Sequence, residues 1–147
     1  MQVPFFDLKA QYAGIKPEVL QAITDVCETQ LFCLGPAVAE FEKKIAEYCG
    51  CKYALGVSSG SDALIVALMA LDIKPGDEVI TTPFTFFATA GAIARLGAKP
   101  VFVDVLPDSY NIDPDKIKEK ITKKTRAIIP VHLFGQLAQM KPIMDIA

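Results

Sequence analysis

Tryptophan is absent from this 147-residue sequence, and histidine occurs once, at His132. The four cysteines, Cys27, Cys33, Cys49 and Cys51, stand at no recognisable zinc spacing. They read as reduced thiols, with Cys27 on the apolar face of a helix. Long apolar runs are missing too. The longest, Phe84 to Ile93, is about ten residues where roughly 20 are needed to cross a bilayer, so no membrane partner is expected. Charge of one sign is also lacking: the net charge is −2 and the Lys and Arg residues are scattered, which argues against nucleic acid as a partner. Met1-Gln2-Val3-Pro4 has neither a basic region nor a cleavage-type signal, so a cytoplasmic location is expected. Neither GxGxxG nor GxxxxGK[ST] occurs, and no Ser/His/Asp or Cys/His arrangement can be read.

What is present describes a globular chain of one ordinary domain's length, with 52% hydrophobic and 22% charged residues. The stretch Val57-Ser58-Ser59-Gly60-Ser61-Asp62-Ala63-Leu64 stands out. An apolar, β-prone run enters it, and Leu64, Ala67, Leu68 and Leu71 leave it at helical spacing. A small-residue turn at a helix N-terminus offers unpaired N–H groups and the positive end of the helix dipole, which together suit a phosphate or carboxylate. Gly60 admits close approach and Ser61 adds a hydroxyl. The carboxylate of Asp62 would repel a phosphate unless it points away. The alternative is an ordinary capped helix with Ser59 or Ser61 as N-cap.

Two helices open the chain. Pro17 is the expected start of the first, with Val19, Leu20, Ile23, Val26 and Cys27 on one face. Pro36 starts the second, in which Val38, Phe41, Ile45 and Tyr48 form the apolar face, and Gly50 ends it. From Tyr53 onward short β-rich runs alternate with helices. Expected strands are Tyr53–Ser58, Glu78–Thr82, Pro100–Val105 and Arg126–His132; expected helices are Ser61–Leu71, Phe86–Leu96, Pro114–Lys120 and one starting near Ala138. This predicts a helical segment over residues 1–52 and an α/β region over 53–147, with a mostly parallel sheet flanked by helices.

Ligands of such sheets bind at the carboxyl ends of the strands. That rule places Ser58-Ser59-Gly60, Thr82-Pro83-Phe84-Thr85-Phe86 and His132-Leu133-Phe134-Gly135-Gln136 on one rim. An aromatic ring beside an anion cradle suits a flat, phosphorylated ligand. Core packing is the competing reading for Phe86 and Phe87, and a structural role competes with a catalytic one for His132.

Gly35-Pro36…Phe41-Glu42, Ser58-Ser59-Gly60-Ser61-Asp62-Ala63-Leu64, Pro75-Gly76-Asp77-Glu78-Val79-Ile80, Thr85-Phe86-Phe87-Ala88-Thr89-Ala90, Gly97-Ala98-Lys99-Pro100-Val101-Phe102-Val103-Asp104, Asn111-Ile112-Asp113-Pro114 and Ile129-Pro130-Val131-His132-Leu133-Phe134-Gly135-Gln136 follow one another in order. Together, over nearly the whole chain, they resemble the N-terminal part of the DegT/DnrJ-type nucleotide-sugar aminotransferases, fold-type I enzymes that use pyridoxal phosphate. The resemblance implies part of that large domain. It also implies transfer of an amino group, usually from glutamate, to a nucleotide-linked keto-sugar. On matched positions, Gly60, Ser61 and the Asp62 backbone would hold the cofactor phosphate, and Phe86 would stack on the pyridine ring. Ser61 stands where the family more often has Thr. The helices near Gly35-Pro36 would lie toward a partner subunit, since the family builds its sites in dimers.

The resemblance also implies that the Schiff-base lysine and the aspartate facing the pyridine nitrogen lie beyond Ala147, so no catalytic residue is assigned within the chain. The expectation is a truncated large domain, inactive alone. Two alternatives accompany it: the related sugar dehydratase branch, and a non-catalytic oligomerisation module. In the sheet so implied, the strands near Val79 and Val101 pair directly. Those near Leu55 and Ile128 need neighbours from beyond Ala147, leaving unpaired edges that invite association.

Overall fold

A computed structural model describes residues 5–147, so the reading of Met1–Pro4 lies outside the described residues. The chain forms two compact units that divide between Gly56 and Val57, four residues after the expected boundary.

The first unit holds α1 (Leu8–Thr29) and α2 (Pro36–Cys49). The first helix begins well before Pro17, which lies inside it. Its start is set by Asp7, whose carboxylate accepts the Ala10 N–H at 3.0 Å. Proline removes one backbone donor, a local defect, whereas the cap supplies the acceptor that a helix start needs. The second helix starts at Pro36 as expected, behind Gly35. A Cβ at Gly35 would collide with the Leu31 carbonyl oxygen, so this position admits glycine alone. At the other end Gly50 takes φ +64° and returns hydrogen bonds to Ala46 and Glu47. Glu42 Oε1 accepts the Gly56 N–H at 2.7 Å.

The second unit is a three-stranded parallel sheet with helices on both faces. Its strands are β1 (Glu78–Thr81), β2 (Lys99–Phe102) and β3 (Thr125–Ile128), in the order β2-β1-β3. The helices are α3 (Gly60–Ala70), α4 (Ala88–Arg95), α5 (Pro114–Ile117) and α6 (Met140–Ile146), with 3₁₀ turns at Lys118–Lys120 and Leu133–Gly135. Every residue of β1 is buried, as befits the central strand of a sheet covered twice. Its alternation sorts the core. Val79 packs with Leu68, Ala92 and Ile93 from α3 and α4, while Ile80 packs with Ile117 and Ile143 from α5 and α6. Each fully buried aliphatic side chain contributes about 1.5–3 kcal/mol.

Two strand expectations are corrected. Tyr53–Ser58 joins no β-ladder among the described residues. No strand of these residues runs beside it, and an extended run without a neighbour has nothing to exchange hydrogen bonds with. The run near Ile128, in contrast, has its neighbour within the chain: β3 pairs with β1, Ile80 opposite Ile128. The outer edges of β2 and β3 stay unpaired among the described residues. The direct pairing of the strands at Val79 and Val101 is present.

Candidate functional site

The turn before α3 is built by its serines. Ser59 is the N-cap, and its Oγ accepts the Asp62 N–H at 3.1 Å. The Asp62 carboxylate accepts in return from the Ser58 hydroxyl and, at 3.0 Å, from the Ser59 hydroxyl. These two bonds hold the Asp62 carboxyl below its ordinary range, with the Arg95 guanidinium acting in the same direction at longer range. The acid is thus tied back to the serine side of the turn. The Asp62 N–H belongs to the cap, while the Gly60 and Ser61 N–H groups have no protein acceptor among the described residues. Nothing lies within 4 Å of where a Gly60 Cβ would stand, so the backbone there is open to a ligand.

Ser61 and Phe86 line one cleft of about 220 Å³, together with Ile65, Phe87, Gly91 and Arg95. Two of the predicted residues, from separate elements, thereby meet. Larger hollows of about 390 and 340 Å³ lie along the helices of the first unit and contain none of the predicted residues. Neither Phe86 nor Phe87 is core: they are 77% and 83% exposed. The Phe87 ring lies over Gly91, where a Cβ would come within 3.0 Å of it. Beneath the loop, Thr82 Oγ1 accepts the Phe84 N–H at 3.2 Å and the Thr85 and Thr89 hydroxyls meet at 3.0 Å. The loop that presents Phe86 is therefore anchored by threonines.

The rest of the rim is tied together by hydrogen bonds. His132 Nδ1 accepts the Ala138 N–H at 3.1 Å. Asn111, 2% exposed, clamps the same loop from both ends of its amide. Its Oδ1 accepts the Leu133 N–H at 3.0 Å and its Nδ2 donates to the Gln136 carbonyl at 3.1 Å. Sequence reading missed this clamp and missed Arg95. A lone Asn before Ile-Asp-Pro looks like a turn residue, and Arg95 looks like a charge on a helix end. Among the described residues no group of three or more His, Cys, Asp or Glu could hold a metal ion, and no helix is long and apolar enough to cross a membrane.

An arrangement of two free N–H groups, one hydroxyl and an exposed ring can hold an anion and cover a flat group beside it. Comparison with known proteins gives this geometry its context. Residues 14–147 match the DegT/DnrJ/EryC1/StrS aminotransferase family. The chain belongs to this family. A "pleiotropic regulatory protein" of Geobacillus stearothermophilus is 52% identical over the whole chain, which spans 40% of that relative. The UDP-2-acetamido-2-deoxy-3-oxo-D-glucuronate aminotransferase of Pseudomonas aeruginosa is 47% identical over 99% of the chain and 40% of its own length. Among solved structures, DesV of S. venezuelae, in complex with a ketimine intermediate, superposes with a TM-score of 0.96 at 42% identity, covering 99% of this chain and 39% of that one. NtdA of Bacillus subtilis, with bound cofactor PMP, gives 0.96 at 39% identity, covering 99% and 34%. The chain thus spans about 40% of the length of the relatives it matches. Its α/β fold, with a parallel sheet flanked by helices, is that of the N-terminal part of DegT/DnrJ-type, fold-type I aminotransferases.

Proposed function

We propose that this chain is the cofactor-cradling N-terminal part of a pyridoxal phosphate-dependent aminotransferase that moves an amino group, from a donor such as glutamate, to a nucleotide-linked keto-sugar. The observation that carries the reading is the meeting of Ser61 and Phe86 in one cleft, next to two free N–H groups at the start of α3. The donor set fits the phosphate end of the cofactor, and the open space at Gly60 leaves room for it.

In this reading Gly60 and Ser61 bind the phosphate through their N–H groups, and the Ser61 hydroxyl adds a third donor. The Asp62 side chain does not oppose them, because Ser58 and Ser59 hold it. Its N–H serves the cap rather than the ligand. Phe86 covers one face of the ring and excludes water from it. When bound, pyridoxal phosphate supplies the amino carrier and the electron sink.

None of the lysines here stands where a covalent partner of the cofactor is needed. Lys44 pairs with Glu40, Lys74 with Asp72, Lys99 with Glu78 and Lys116 with Asp104 and Asp113. An exposed, protonated lysine is a poor nucleophile at neutral pH. In this reading the covalent lysine and the ring-facing aspartate are those that the family resemblance assigns outside residues 1–147, and residues 1–147 alone are expected to transfer no amino group. A homodimer agrees with α1, a helix of 22 residues with no buried residue.

Equilibrium dialysis against pyridoxamine phosphate, which has no aldehyde to react with surface lysines, tests the reading. Saturable binding weakened about fivefold by Ser61→Ala, the loss of roughly 1 kcal/mol, is the expected result. Binding indifferent to both Ser61→Ala and Phe86→Ala contradicts it.

A further inference from the structure

Cys49 and Cys51 flank Gly50 at the end of α2, and both are exposed. Gly50 adopts φ +64° and ψ +26°, the left-handed helical conformation. Two virtual bonds of about 3.8 Å at the helical angle bring residues on either side of such a position to a Cα separation of about 5.5 Å. Disulfides favour about 5.5–6 Å. The turn is not free to drift from this geometry, because the Gly50 N–H bonds to Glu47 and the Cys51 N–H to Ala46 at 2.9 Å. The Cys51 side chain folds back over the turn, with its Sγ 3.6 Å from the Cys49 carbonyl oxygen. Glycine admits the left-handed turn, which a residue with a Cβ resists.

We propose that Cys49-Gly50-Cys51 is a redox-active dithiol that closes to an intramolecular disulfide by exchange with low-molecular-weight disulfides such as oxidised glutathione. Cys51 lines an open groove of about 390 Å³ whose walls carry Glu42, Glu47, Lys43 and Lys52. Charges of both signs there suit a small disulfide that bears ammonium and carboxylate groups. In the first step the Cys51 thiolate attacks one sulfur of oxidised glutathione, forming a mixed disulfide and releasing one glutathione thiolate. In the second the Cys49 thiolate attacks the Cys51 sulfur and releases the other glutathione. The two cysteines lose two electrons, the oxidant gains them, and the two thiol protons end on the two glutathiones. A small exposed ring belongs to the readily reduced class of disulfides, so the reaction runs both ways with the surrounding thiol poise.

The test uses the 147-residue chain in glutathione buffers of graded redox ratio, trapped by acid and mapped by mass spectrometry. The tryptic peptide Ile45–Lys52 holds both sulfurs. At intermediate ratios it should lose two hydrogens rather than gain glutathione, and Cys51→Ser should convert it to a lasting adduct on Cys49. Repeating the wild-type titration in urea separates fold from sequence. The ratio of ring to adduct should be several-fold higher in the native chain. Glutathione adducts predominating on both cysteines of the native chain, or an equal ratio in urea, would overturn the proposal. Cys27→Ser and Cys33→Ser, at two exposed sites outside the turn, leave the result unchanged if the proposal holds.

Discussion

Ser59 and Asp62 hold each other in both directions: the Asp62 N–H donates to Ser59 Oγ at 3.1 Å, and the Ser59 hydroxyl donates to Asp62 Oδ2 at 3.0 Å. The pair caps α3 and keeps a carboxylate away from the neighbouring free N–H groups. Ser59→Ala should lower stability by about 1 kcal/mol, and Ser59→Gly by a few tenths. In the alanine variant the Asp62 carboxyl should also rise toward its ordinary range. Urea midpoints and a carbon-detected NMR titration of the Asp62 carboxyl read the two effects. An unchanged midpoint and an unchanged titration would show that the cap is idle.

Glu78, buried at the amino end of β1, accepts from the Thr122 hydroxyl at 2.6 Å and from Lys99 Nζ at 3.3 Å. The Thr122 bond, ahead of the Lys99 contacts, holds its carboxyl below the ordinary value against the opposing effect of burial. A depressed carboxyl stabilises the fold above its unfolded value, near pH 4.5, and that contribution is lost as pH falls through the folded value. Stability should therefore drop on acidification below about pH 4.5. Glu78→Gln should flatten that part of the profile. An identical acid limb in the variant would assign the loss to other groups.

Asn111→Ala leaves the Leu133 N–H and the Gln136 carbonyl without their partner. Both bonds are only partly buried, so losing them should cost about 1 kcal/mol. Hydrogen exchange at Leu133 should accelerate, while exchange at Val79 and Ile80 follows the global stability alone. Equal acceleration at all three would mean that Asn111 supports the whole unit rather than this loop.

Much of this was legible from residue order. The alternation of apolar runs and helices announced a parallel sheet, and β1 to β3 fall within a few residues of the expected strands. Tyr53–Ser58 misled because its composition is that of a strand, yet strand formation depends on a neighbour that local sequence cannot reveal. Pro17 misled in the opposite sense: a start signal was outweighed by the Asp7 cap upstream. At the site, the turn and the resemblance singled out Ser61 and Phe86, and the two line one cleft. Asn111 and Arg95 were not, since burial and the shared cleft arise from elements far apart in sequence.

Residues 1–147 should transfer no amino group from glutamate to a keto-sugar nucleotide in the presence of added cofactor. The reason is that no lysine lines the cleft: the lysines of the chain are exposed, and several are paired with acids. Chromatographic detection of the amino-sugar product is the assay. Sustained turnover by the purified chain, free of any longer relative, would show that one of these lysines serves after all.

The most direct test of the cradle is a titration of isotope-labelled chain with pyridoxamine phosphate, followed through the amide resonances. Saturable shifts should centre on Gly60 and Ser61, extend to the Phe86 loop, and fall away in Ser61→Ala. Amides at Gly60 and Ser61 that do not move, or shifts centred elsewhere on the chain, would contradict the assignment of this turn as the phosphate site.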